Sequence, residues 1–132
     1  MSEHEALRRF ERMLQEDGRY PRDAYAFLQQ GLEHTARALH GSKRGGRTHH
    51  VTGQQLCDGL RELALERWGM LARDVLASWG IRSTRDFGEM VFLLVRYELL
   101  GKQDSDRLED FDDVFDFDET FGAYGIRLND KD

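Results

Sequence analysis

Four histidines, His34, His40, His49 and His50, fall within seventeen consecutive positions, and neutral imidazole is a common zinc ligand. Adjacent His49 and His50 rarely hold one ion together, and neither cysteine nor carboxylate lies between His34 and Cys57. These histidines are therefore expected to add positive charge below about pH 6.5 rather than to ligate metal. Asp104-Ser105-Asp106 opens like a calcium loop, but Leu108 and Glu109 stand at the fifth and sixth positions, where the sixth must be glycine to make the sharp turn. For covalent chemistry the single cysteine, Cys57, lies mid-helix beside Leu56 and reads as a small buried hydrophobe rather than a thiolate. The sequence holds no G-x-S-x-G, P-loop, G-x-G-x-x-G or H-E-x-x-H pattern. The many carboxylates near the C-terminus have no fixed spacing for acid and base roles. The reading is that of a chain that is not an enzyme and needs no cofactor or metal.

The remaining charged constellation is basic. Arg37, Lys43, Arg44, Arg47, His49 and His50 lie in a window free of acids and form a candidate polyanion-binding set. The rest of the chain polarises around them. Residues 1–102 carry 16 Lys and Arg against 14 Asp and Glu, whereas residues 103–132 carry 3 against 11. Two expectations follow. Either the acidic end folds over the basic patch and neutralises it, since opposite charges attract within about 8–10 Å in physiological salt, or the patch receives a polyanion and the acidic end regulates access.

The elements that must position these groups are helical. Ser2-Glu3-His4-Glu5 has capping-box form, and Ala6, Leu7, Phe10, Met13 and Leu14 follow on one stripe up to Gly18. Pro21 suits a first helical turn. Beyond it Tyr25, Leu28, Leu32, Thr35, Ala36 and Leu39 mark a second amphipathic helix that should stop at Gly41. Residues 41–50 (GSKRGGRTHH) offer nothing large and apolar to bury and read as a basic surface loop. Thr52 and Gln55 cap a third helix to Trp68, a short fourth spans 70–79, and Ser83 to Asp86 cap a fifth that should run to about Leu100. Its centre, Met90-Val91-Phe92-Leu93-Leu94-Val95, is apolar on all sides and is expected to be buried all round. Residues 104–121 alternate acids with Phe111, Val114, Phe115, Phe117 and Phe121, which should dock one by one through short helical turns while the acids stay wet.

The 132 residues, 39% of them apolar, suffice for one core. The expected fold is all-α: about five helices around a central apolar one, with an acidic, partly helical C-terminal segment. Residues 1–121 form a single domain in this reading, with a basic loop at 41–50, an acidic aromatic segment at 103–121 and a frayed tail at 122–132. The longest apolar run has six residues, far short of the ~20 of a membrane helix. The N-terminal stretch is charged, without a signal-peptide core, and one cysteine suits a reducing compartment. A cytoplasmic protein is expected.

The order of three helices over 52–100 has the sequence of a winged helix-turn-helix. There the third helix should present polar groups to bases, and here it presents MVFLLV, while Asp104, Asp106, Glu109 and Asp110 would repel a phosphate backbone. Sequence-specific DNA reading is not expected.

Tyr25-Ala26-Phe27, His50-Val51-Thr52-Gly53-Gln54-Gln55-Leu56, Trp79-Gly80-Ile81, Asp86-Phe87-Gly88-Glu89-Met90-Val91-Phe92, Leu99-Leu100 with Lys102, Asp110-Phe111 and Asp116-Phe117 occur in that order. In this they resemble the signature of a small bacterial family of single-domain proteins of unknown function. The likeness spans roughly residues 8–121. It implies a bacterial cytosolic protein whose acidic aromatic segment belongs to the folded unit, and assigns no activity or ligand to any residue. The resulting expectation is a non-catalytic binding or regulatory module acting through protein–protein contact, self-association included. Polyanion or RNA binding through residues 37–50 is the alternative, and a small metal-dependent enzyme the third reading.

Overall fold

The computed structural model describes residues 1–41, 50–101 and 107–122. The described residues contain helices and turns and no strand. The helices are α1 (Glu3–Glu16), α2 (Arg22–His40), α3 (Gly53–Trp68), α4 (Ala72–Ser78), α5 (Thr84–Arg96) and the short α6 (Phe117–Gly122). Single 3-10 turns at Gly69–Leu71 and Leu108–Phe111 enter α4 and the C-terminal segment. Among the described residues, no helix is long and apolar enough to cross a membrane.

The start signals act as their chemistry requires. Ser2 Oγ accepts the Glu5 amide at 3.1 Å. Thr52 and Gln55 cap each other reciprocally, Thr52 N–H to Gln55 Oε1 at 2.9 Å and Gln55 N–H to Thr52 Oγ1 at 3.1 Å. The Asp86 carboxylate accepts the amides of Arg82 and Ser83 at 2.8 and 3.1 Å, and its other oxygen accepts the Tyr20 hydroxyl at 2.6 Å, which ties the α1–α2 connection to α5.

α2 and α3 lie side by side at close range because small residues meet large ones at two levels. A methyl group on Gly31 would strike Leu60, and one on Gly59 would strike Thr35. Thr35, buried there, donates its hydroxyl back to the Gly31 carbonyl at 2.7 Å. α3 contributes Leu56, Cys57, Leu60, Leu63 and Ala64 to the core and is the helix against which α2, α4 and α5 all pack. At its far end Phe27, Trp68 and Trp79 form an aromatic trio with centroids 5.1 to 6.0 Å apart.

The apolar run of α5 departs from expectation in two ways. Of its six residues only Met90 and Leu93 are buried, while Val91, Phe92, Leu94 and Val95 are half-buried. The run is thus not hidden on every side, because more of its circumference is apolar than the neighbouring helices cover. The helix also stops at Arg96 instead of near Leu100. Glu98 takes a left-handed backbone (φ 60°), the Leu99 amide returns to the Leu94 carbonyl at 2.8 Å, and Arg9 of α1 holds the Glu98 carboxylate at 2.7 Å. A left-handed residue with that wrapped-back bond is a helix terminator even without glycine.

The acidic aromatic segment docks as its pattern indicates over the described part. Phe111, Phe117 and Phe121 are buried and Val114 and Phe115 half-buried, while Asp112, Asp113, Asp116, Asp118 and Glu119 face water. Phe115, Phe117 and Phe121 stack among themselves with centroids 5.1 to 5.7 Å apart.

Candidate functional site

A groove opens where the start of α3 lies between α2 and α5. Its volume is about 140 Å3. From α2 come Leu28 and Leu32, from α5 Val91 and Leu94; Val51 and Leu56 form the floor near the α3 start, and Leu100 and Phe111 close the sides. The polar contributions are Gln29, His50 and Thr52, and among the described residues the lining includes no Asp, Glu, Lys or Arg, although a third of the chain is charged. Val91 and Leu94, two of the four half-buried residues of α5's apolar run, therefore form a wall of this groove. The sequence does hold that signal: a run apolar on every side has more apolar surface than one core contact can use.

Phe111 is the side chain around which this corner is built. It leaves room for nothing larger than hydrogen on the two helices that flank it: a Cβ on Gly88 would lie 2.7 Å from Phe111 Cγ and 2.8 Å from its Cβ and Cδ1, and one on Gly53 would lie 3.0 Å from Cε1. The backbone is fixed as firmly as the ring. Buried Thr84 donates its hydroxyl to the Phe111 carbonyl at 2.6 Å and accepts the Val114 amide at 3.2 Å, and Asp112 receives Arg85 at 2.9 Å.

One corner of the groove is polar and unsatisfied. His50 is half-buried, its carbonyl accepts His40 Nε2 at 3.1 Å, and its Nδ1 is buried with no hydrogen-bond partner. Beside it begins α3, whose reciprocal cap satisfies the Thr52 and Gln55 amides; the amides of Gly53 and Gln54, in the first helical turn, have no helical acceptor.

The sequence candidates are placed as follows. His50 lines the groove. Arg37 is exposed on α2, five residues past Leu32 and so about 140° around the helix from it. Lys43, Arg44, Arg47 and His49 lie outside the described residues, as do Asp104 and Asp106. His34 faces Glu62 at 3.4 Å. Among the described residues no three His, Cys, Asp or Glu side chains come together as a metal site. Cys57 is fully buried, and burial pushes its thiol up to about 12. Of the described carboxylates of the acidic segment, Asp112 pairs with Arg85 at 2.9 Å, Asp118 with Arg73 at 2.8 Å and Glu109 with Arg107 at 3.8 Å; among the described residues none pairs with Arg37 or His50.

The groove is chemically suited to hold apolar matter and, at the His50 corner, a hydrogen-bonding group. Among the described residues that line it, no nucleophile sits beside a base. Comparison of the chain with protein-family models, with curated proteins and with solved structures returned no match.

Proposed function

We propose that this chain is a non-catalytic cytoplasmic binding module of the bacterial family its motifs resemble, and that it works by protein–protein contact, a partner seating one large apolar side chain in the groove between α2, α3 and α5. The observation that carries this reading is the groove's size and lining. About 140 Å3 is close to the ~150 Å3 of an apolar cavity that accepts a benzene ring, and well below the ~300 Å3 at which drug-sized ligand pockets begin. A largely apolar cavity for one side chain is the form of a hot-spot pocket at a protein interface.

Filling the groove tests the reading. Val91→Trp occupies it from the α5 wall, where Val91 is already half-exposed. Immobilised wild-type protein is expected to retain from a bacterial lysate a partner that Val91→Trp does not retain, with matched far-ultraviolet spectra and melting curves establishing that both are folded. Identical retention by the two proteins overturns the reading.

Polyanion binding is kept as a second reading by one observation. Asp112 and Asp118 of the acidic segment are engaged at Arg85 and Arg73, and Arg37 has no ion-pair partner among the described residues. Loss of heparin retention on Lys43→Glu with Arg44→Glu, steep in salt, is its expected signature.

A further inference from the structure

We propose that the acidic aromatic segment, residues 107–122, is a strap that docks on the helical body as a unit of its own, with Thr84 as its latch, and that the groove is complete only while the strap is down. That this opening regulates docking rests on the reading of the groove as a protein-docking site; the opening itself does not.

Three observations converge on it. The first is how the segment is tied. Among the described residues, the backbone of 107–121 makes no backbone hydrogen bond to the body: Asp110 N–H goes to the Arg107 carbonyl, Asp112 N–H to Glu109 and Thr120 N–H to Asp116, all inside the segment. What joins that backbone to the body is one buried side chain, the Thr84 hydroxyl, which donates to the Phe111 carbonyl at 2.6 Å and accepts the Val114 amide at 3.2 Å. The ion pairs of Asp112 with Arg85 and of Asp118 with Arg73 join exposed side chains and add little. The second is charge: residues 107–122 carry seven acids against one base, and like charges gathered in a docked segment repel one another. The third is that the body is assembled without the segment. α2, α4 and α5 all pack on α3, and the close approach of α2 to α3 is made by Gly31, Thr35, Gly59 and Leu60. A peripheral unit with few ties of this kind opens at lower free energy than the core it covers. Phe111 links that opening to the groove, since it is the strap residue in the lining. When the strap lifts, the ring leaves Gly53 and Gly88 and the groove loses one side. Whatever occupies the groove therefore holds the strap down, and occupancy and strap docking strengthen one another.

The test is limited chymotrypsin digestion of the full-length protein, with cut sites and rates read by mass spectrometry as urea is raised below the unfolding transition. Cuts after Phe111, Phe115 and Phe117 are expected to precede any cut in α2 or α3. Their rate is expected to rise with urea less steeply than global unfolding does, because lifting the strap exposes only part of the buried surface. Thr84→Val keeps the side-chain shape and loses both hydrogen bonds, and is expected to speed these cuts about ten-fold. Thr84→Ser, which keeps the hydroxyl, is expected to stay close to the parent rate. Cuts in the segment that appear only together with cuts in α3, with the urea slope of global unfolding, overturn the inference. So do equal rates in the parent, Thr84→Val and Thr84→Ser proteins, and so do segment cuts in the native protein as fast as those of a free peptide of residues 107–122. The parent protein's urea slope decides the question even where Thr84→Val does not fold. None of these measurements needs a partner, so failure here leaves the docking reading standing, and identical lysate retention by Val91→Trp overturns that reading while leaving the strap.

Discussion

Gly88→Ala is expected to destabilise the protein although it replaces glycine by the best helix former in the middle of a helix. In an unobstructed helix that change is worth about 1 kcal/mol in favour of alanine. Here the new methyl would sit 2.7–2.8 Å from Cγ, Cβ and Cδ1 of Phe111. These are the atoms nearest the backbone, so a rotation of the ring does not clear them. The 3-10 turn carrying Phe111 must move, and movement strains the 2.6 Å bond from Thr84 to the Phe111 carbonyl. Overpacking costs about 1–3 kcal/mol and a weakened buried hydrogen bond about 1 kcal/mol, so after the propensity gain the net loss is about 1–3 kcal/mol. Phe111→Ala alone, at a site 3% exposed, is expected to cost about 3–5 kcal/mol. The two changes must not add. Phe111→Ala removes Cγ and Cδ1 and frees the turn to shift away from the one contact that remains, at Cβ (2.8 Å), so Gly88→Ala should cost less on the Phe111→Ala background than in the parent. Urea denaturation of the four proteins measures the cycle. Additive effects, or a Gly88→Ala protein as stable as the parent, would refute the account of Phe111 as a ring clamped between α3 and α5.

Tyr25 is 4% exposed, and its hydroxyl is buried without a partner, so Tyr25→Phe is expected to leave stability unchanged or raise it by about 1 kcal/mol. Tyr20→Phe, which loses the 2.6 Å bond to Asp86, should lower it, and the reverse order in thermal melts would contradict the hydrogen-bond assignment. Burial raises the Cys57 thiol from 9.0 to about 12. Between these values the native state keeps a proton that the unfolded state releases, so stability falls with rising pH across that window, by at most about 1.4 kcal/mol per pH unit. Cys57→Ala should flatten the decline at pH 9–10, where a stability profile identical to the parent's would count against deep burial of the thiol.

How much of this was legible in the sequence depended on whether a signal is local. The caps at Ser2 and Thr52, the breaks at Gly18 and Gly41 and the alternating phenylalanines of the C-terminal segment are local codes, and each marks an element found in the structure. The end of α5 was not legible, because it is set by a non-glycine residue in a left-handed conformation and by Arg9, eighty-nine residues away from Glu98. The groove was half legible. Hydrophobicity all round MVFLLV signals that no face of that helix is meant for bulk water, and burial is the commonest way to achieve this. The pattern does not encode how much neighbouring surface arrives to cover it. Gly53 and Gly88 were equally silent, since a glycine inside a helix reads as a weak position until the ring that passes over it is known.

That last point has a physical consequence for the candidate site. Phe111 belongs to both systems: it is clamped by Gly53 and Gly88 in the core and also closes one side of the groove. The groove is thus completed by the acidic aromatic segment rather than by the helical body alone, and its shape depends on Thr84 holding that segment in place. A substitution at Phe111 or Gly88 alters stability and groove together and so separates neither. Val91 and His50 are both only half-buried, so changes there act on the groove with little effect on the core, and for that reason binding is to be judged at those two positions.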